Sequence, residues 1–465
     1  MQYEQIFAFS GINRQVSPFL PKDGELAEAQ NFTTTKIGIL KKTGDYEIKG
    51  AQITASQDII GGIDFVRADG THTHIVAING SANAGIYKYT ASWADQSQSL
   101  TKDTKVRFAY SPTLDTLFAV NYSDATRSFN GAAWSTATNV TSAPRSYYVI
   151  IFGRRVYLLN CVVSAVAYRT RAYRSSLVDS GSITWDTTND WIVFDDVING
   201  VGKNGENMFL GCENSCWIFT LADEKYQVSN VGCVSHESIC SYKTWTFRAA
   251  RDGVYAFDGA ADQKISLPIQ EYWDSIPEAN LSKIQAKVVG HHLYIYIGDI
   301  TEPSSLSNVL WDYDILQNDW NRIGLGEEVK HLHVYVTTTG KALFMGNDNG
   351  EIFELFTSEA QNTGVFPSFL ETNWIYGSGA RMMDDYYELW GHGDKLSGLK
   401  VSYKVDDGEW KAAGELNGST DVVNFKVRGY RIKFLLQEVS KNNLYELHSL
   451  EYGYVPQFAK EEDAE

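Results

Sequence analysis

The chain is short of several things. Among its 465 residues there are five cysteines, Cys161, Cys212, Cys216, Cys233 and Cys240. The two closest pairs are four and seven residues apart. Neither is the two-residue gap of a zinc knuckle, and no histidine cluster completes a ligand set, so no metal is expected. The odd count among apolar neighbours reads as buried free thiols made in a reducing cytoplasm. Nine prolines in so long a chain argue against disorder. No apolar run approaches the roughly 20 residues of a membrane-spanning helix. The start, Met1-Gln2-Tyr3-Glu4-Gln5, lacks the basic region and apolar core of a signal peptide. The expectation is a chain neither secreted by the usual route nor inserted stably in a membrane. Positive charge is scarce too: 40 Lys and Arg stand against 57 Asp and Glu, a net charge of −17. That opposes a simple affinity for nucleic acid, whose phosphates are bound mainly by Lys and Arg. It fits solubility, and equally a surface that nucleic acid slides past without sticking.

What is abundant is aromatic: 27 Tyr, 22 Phe and 12 Trp. Strands favour such side chains. The stretch Gly253-Val254-Tyr255-Ala256-Phe257-Asp258-Gly259 alternates apolar residues into an Asp-Gly turn, a strand feeding a hairpin. Its relatives are marked by Tyr89, Phe129, Phe219, Tyr313 and Leu355. Steps of 40, 38 and 42 residues separate Tyr89 from Phe129, Phe219 from Phe257 and Tyr313 from Leu355. Phe257 to Tyr313 is 56 residues, one period with an insertion, and Phe129 to Phe219 is 90, two periods with one copy hidden. A period of roughly 40 residues built from short strands is that of a β-propeller blade. The fold expected is all-β, a propeller of about six blades. A sandwich or another all-β array remains the alternative.

Four regions follow. Residues 1–50 read as an extended N-terminal arm, with a rigid kink at Ser17-Pro18-Phe19-Leu20-Pro21 and one helical turn over Leu26–Gln30. Residues 51–365 carry the repeats, with a helical candidate from Ile269 to Lys283. Residues 366–457 hold longer strands and read as a C-terminal β-sandwich or ring-closing β domain. Residues 458–465 form a short acidic tail.

The arm carries the pattern Ser10-Gly11-Ile12-Asn13, Ser17-Pro18, Asp23-Gly24-Glu25, Ala29-Gln30-Asn31-Phe32, Gly38-Ile39-Leu40-Lys41-Lys42 and Gly44-Asp45-Tyr46. It resembles the opening of phage tail hub and nozzle proteins, including the packaged-DNA stabilisation proteins of short-tailed bacteriophages. It departs from them at the single Gly before Ile12-Asn13 and at Thr43, where proline is usual. The strand Gly429–Leu436 and the final strand Leu444–Tyr454 are similar to the C-terminal part of the same proteins. The resemblance implies a homo-oligomeric ring, a hexamer, docked on other tail proteins such as an adaptor and fibres, with double-stranded DNA passing through transiently. It implies a virion tail component assembled in the host cytoplasm, with no catalytic residues and no cofactor.

Several residues are of types that carry chemistry. Ser128–Trp134 and Val405–Trp410 echo the Asp-boxes of glycosidase propellers, which are structural turns. Asp312, Asp314 and Asp319 could hold calcium, but no glycine marks the sharp turn of a calcium loop, so solvated hairpin charges are expected. His72 with His74, and His331 with His333, share strand faces; exposed sheet residues are expected there. The densest basic region is Arg145, Arg154, Arg155, Arg169, Arg171 and Arg174, interleaved with Tyr147, Tyr148, Tyr157, Tyr168 and Tyr173. It reads as a subunit interface or as a DNA-facing patch. Two functions are carried forward. One is a structural tail protein whose ring extends the DNA channel and helps retain, then eject, packaged DNA. Six copies would carry roughly −100 formal charge, enough to repel DNA from an acidic lumen. The other is a carbohydrate-binding or carbohydrate-cleaving propeller whose exposed aromatics stack on sugar rings.

Overall fold

Short apolar runs separated by turn residues pair as antiparallel strands throughout the chain. The computed structural model describes residues 1–14, 24–36, 38–135, 140, 142–178, 183–300, 306–357, 367–438 and 444–457. The Ser17–Pro21 kink and the acidic tail 458–465 lie outside the described residues.

Seven four-stranded sheets form among the described residues. Six of them cover 59–95, 107–135, 145–193, 198–229, 240–264 and 285–324 in turn. The seventh takes three strands from 331–355 and its outer strand from Tyr46–Ile48, with Phe353 opposite Ile48 and Leu355 opposite Tyr46. The first strand of each sheet lies against the first strand of the next, and His331–Thr337 lies against Ile59–Val66. The circle is therefore closed, as in a β-propeller.

All six markers read from the sequence fall on the third strands of their sheets. The hidden copy is the sheet Arg145–Val193, so seven sheets stand where about six blades were expected. Its third strand, Val166–Arg174, is dense in arginine and lacks the apolar-aromatic signature of the others. The long interval before Tyr313 holds the expected insertion. It is a 3-10 turn at Leu267–Ile269 and two short helices, Gln270–Asp274 and Glu278–Leu281. Tyr272 and Trp273 from the first helix are fully buried, with Tyr272 against Trp311 at 5.2 Å between centroids. A buried ring of this size removes 150–250 Å² from water, worth about 4–6 kcal/mol before ordering costs.

Two larger sheets make up the rest. A six-stranded sheet runs from Phe32–Lys36 through Ile39–Lys42, Glu446–Gln457 and Met383–Asp394 to Thr420–Gly429, and Gln2–Phe7 also pairs with Glu446–Gln457. A five-stranded sheet orders Leu26–Gln30, Ser368–Thr372, Ile432–Glu438, Leu399–Val405 and Lys411–Leu416. Tyr403 of the second stacks on Phe425 of the first at 4.8 Å. The segment read as an arm thus supplies strands to both. Leu26–Gln30 is not a helical turn: its five residues pair with Ser368–Thr372, and Leu26 and Ala29 are fully buried. Local propensity over five residues is weak, and a partner edge 340 residues away decides the conformation. One continuous apolar core runs from these two sheets into the fifth and sixth propeller sheets, joining Leu370, Leu436 and Leu450 to Trp311, Trp320 and Val254.

Candidate functional site

The axis of the ring is filled with charge and imidazole. Arg107, on the first strand of the second sheet, donates from Nε to Glu237 at 3.0 Å and lies over Tyr148 at 4.9 Å. Glu237 sits in a one-turn 3-10 helix, His236–Ser238, ahead of the fifth sheet. Burial alone would push its carboxyl up; Arg107, His236, Lys287 and His331 outweigh that and hold it far below the usual range. Burial pulls Lys105 down to about 8, and its Nζ donates to the Lys330 carbonyl at 2.5 Å. A cavity of about 490 Å³ opens here, lined among others by Asp58, Asp103, Glu237 and Glu328 and by Lys105, Arg107, Lys283 and Lys330. Four carboxylates face four cations, so the cavity has no net formal charge to draw in a polyanion. Its volume is that of a small-molecule pocket.

The paired histidines are not exposed sheet residues. His74, His331 and His333 are buried, and His72 is half-buried against Asp64 at 2.7 Å. Both faces of a propeller sheet are covered by neighbouring sheets, so alternation along a strand does not lead to water. Burial lowers His74, His236 and His331 to about 3, and lowers His333 well below its ordinary value. The cysteines are all free, four of them buried. Burial pushes the Cys233 thiol up, which keeps it protonated and unreactive.

The six arginines all lie on the third sheet or its turns. Arg155 and Arg174 share Asp190, and Arg174 also reaches Asp223 at 2.8 Å. Arg171 is held between the Tyr168 and Trp191 rings at 4.1 and 4.0 Å. Arg145 donates to the Ser123 carbonyl at 2.9 Å. Arg154 and Arg169 are exposed. Four of the six are therefore held by groups on the third sheet and its two neighbours, and the outward ones are Arg154 and Arg169.

Asp312, Asp314 and Asp319 are buried rather than solvated. Asp312 accepts from His292 Nδ1 at 2.8 Å and from Thr33 at 2.9 Å. Asp314 accepts the backbone N–H groups of Leu316 and Gln317 at 2.8 and 3.0 Å. Burial and the Asp314 charge push Asp319 up to about 7. His291, His292 and Asp314 form one acid–histidine group, and another, Asp394, Glu446 and His448, lies at the surface.

One constellation was missed by sequence reasoning. Glu28 receives Arg14 at 2.6 Å, Arg322 at 3.0 Å and the Tyr272 hydroxyl. Asn31, held at φ +63°, donates to the Pro367 carbonyl at 2.6 Å and accepts from the Gly324 N–H at 2.9 Å. Lys42 and Glu438 form a fully buried ion pair. These contacts bind the N-terminal strands to the sixth propeller sheet, to the helical insertion and to the C-terminal sheets. Apart from Arg14 and Glu28, the partners lie hundreds of residues apart, so spacing in the sequence could not find them.

No family model and no curated protein sequence matches the chain. Among solved structures it is similar to YCF48 from Cyanidioschyzon merolae, at 10% identity and a TM-score of 0.43, over 67% of this chain and 98% of that one. The WD40 beta propeller domain of Doa1 gives 8%, 0.42, 68% and 98%. A streptogramin B lyase gives 11%, 0.43, 67% and 97%. At such identities and TM-scores none of them lends this chain an activity.

Proposed function

We propose that this chain is a structural protein of a bacteriophage tail, one subunit of a ring that forms a hub or nozzle on the DNA path, and not an enzyme. In this reading the seven four-stranded sheets are the seven blades of one propeller, and the six- and five-stranded sheets are a sandwich fixed to it. The observation that carries the reading lies in the N-terminal pattern that resembles tail hub proteins. Several of its described residues join the two parts. Gly11 is at φ +73°, and a Cβ there would lie 2.6 Å from the Trp320 carbonyl oxygen. Asn13 donates to Glu25 at 2.8 Å. Asn31 bridges the sixth sheet to Pro367, Phe32 packs edge-on against Tyr445 at 5.7 Å, and Lys42 is buried on Glu438. A pattern with several described members in one joint supports a building block made to hold two bodies in fixed relation, as a ring requires.

In this reading DNA passes between subunits, at the centre of the ring they form. Arg154 and Arg169 belong to the face proposed to meet a neighbouring subunit. A carbohydrate-binding propeller has less support. It rests on exposed Trp and Tyr; none of the 12 tryptophans is exposed, and the exposed tyrosines, Tyr3, Tyr147, Tyr226 and Tyr430, stand on separate strands and turns.

Native mass measurement and electron microscopy of the purified protein, alone and with adaptor and fibre proteins, test the proposal. A closed ring of defined copy number is expected, weakened by Arg154→Glu with Arg169→Glu. A strict monomer found in no virion fraction would overturn it.

A further inference from the structure

We propose that the His291–His292 turn and Asp314 form a binding site for a divalent transition metal, with Asp319 as the adjoining acidic group. The placement follows from strand register in the sixth sheet. His292 stands opposite Asp314, and Asp314 stands opposite Asp319, so the three make one row across three strands on a single face. His291 reaches the same place from the turn, its Nε2 3.6 Å from Asp314 Oδ2. One ligand atom from each of His291, His292 and Asp314 lies within 4.8 Å of the other two. Ligands about 2.0–2.1 Å from one ion are up to about 4.2 Å apart, so small side-chain rotations close the set.

The surroundings suit a metal. His292 gives its Nδ1 to Asp312 at 2.8 Å, and Asp312 is itself held by Thr33 at 2.9 Å. A carboxylate behind an imidazole fixes the ring and leaves Nε2 as the ligand atom. The Asp314 carboxylate is oriented by two backbone N–H groups on Oδ1, while Gln317 Nε2 at 2.9 Å is the contact on Oδ2 that an ion would share or replace. Asp319 is a further carboxylate at the same place. It is 6% exposed and directly beside Asp314, with no hydrogen-bond donor or ion-pair partner among the described residues. A cation beside two neighbouring carboxylates offsets their mutual repulsion. Two imidazoles with carboxylates select zinc, cobalt, nickel or copper over calcium or magnesium. The His291 side chain is 39% exposed, so an ion can reach the site from solvent.

The inference is independent of the proposed tail function. The full-length protein is stripped with chelator and titrated with Zn²⁺ or Co²⁺, and with Ca²⁺ and Mg²⁺ as controls. One ion per chain is expected for Zn²⁺ and Co²⁺, with a rise in melting temperature and a cobalt d–d absorption band from a nitrogen-oxygen site. Ca²⁺ and Mg²⁺ should bind at least a hundredfold more weakly. His291→Ala, a change at a half-exposed turn that leaves the fold in place, should weaken Zn²⁺ at least tenfold and remove the band. Asp319→Asn should weaken it as well, whereas His448→Ala at the surface group should not. Failure of the wild-type protein to bind Zn²⁺ below millimolar concentration, or unchanged binding in His291→Ala, would overturn the proposal.

Discussion

His74 of the first sheet and His333 of the seventh meet Nε2 to Nε2 across the seam where the ring closes, and neither ring reaches water. His74 also stacks on Tyr335 at 4.4 Å and meets Phe344 and Trp93 edge-on. One imidazole donates and the other accepts, so the two cannot both be protonated, and burial disfavours the charge on either.

This seam makes stability depend on pH. His74, His236 and His331 are lowered by burial to about 3, and His333 is lowered well below its ordinary value. Unfolded histidines take up protons near pH 6.5, so between about 6.5 and 3 the unfolded chain binds more protons than the folded one. Their stabilising effect is full above 6.5 and is lost as pH falls, by about 1.4 kcal/mol per pH unit for each such histidine. Glu237, also held low, acts in the same direction below about pH 4.5. Thermal melts from pH 7.5 to 4 should show a falling midpoint, and His333→Gln should flatten the slope. A midpoint independent of pH would contradict the assignment.

Lys42 and Glu438 tie an N-terminal strand to a C-terminal one without water. Lys42→Met should cost about 3–5 kcal/mol, because it leaves a buried carboxylate alone. Lys42→Met with Glu438→Leu should recover most of that loss. Urea titrations of the two single variants and the double variant measure the coupling, and a double variant no better than the singles would count against it.

Closure of the circle rests on Tyr46–Ile48 as the outer strand of the seventh sheet. Glu47 stands opposite Glu354. Glu47→Pro removes a backbone donor and fixes φ, which a short edge pairing tolerates poorly. Early protease cleavage near residue 50 and a broadened unfolding transition are expected, with the C-terminal sheets still protected from hydrogen exchange. Uniform protection would show that closure does not depend on this strand.

Gly11 contributes by lacking a side chain. At φ +73° with the Trp320 carbonyl 2.6 Å from a would-be Cβ, it allows the Ile12 N–H to donate to that carbonyl at 2.8 Å. Gly11→Ala should destabilise by about 1–3 kcal/mol. Chemical denaturation provides the measurement, and a neutral result would remove Gly11 from the joint.

The sequence alone determined that the chain is all-β, and it placed six third strands correctly. Tyr89, Phe129, Phe219, Phe257, Tyr313 and Leu355 could be read because local alternation and turn chemistry repeat near 40 residues. It could not see the third sheet, because its third strand carries Arg169, Arg171 and Arg174 in place of the apolar pattern. Burial lay outside its reach. His74, His333, Asp312 and Asp314 alternate as surface residues do, and only packing by neighbouring sheets and by the N-terminal strand encloses them. The ring closure through Tyr46–Ile48, the Glu28 network and the Lys42–Glu438 pair were decided by tertiary structure alone. Each joins groups hundreds of residues apart, and a pairing at that range leaves no periodic trace in the chain.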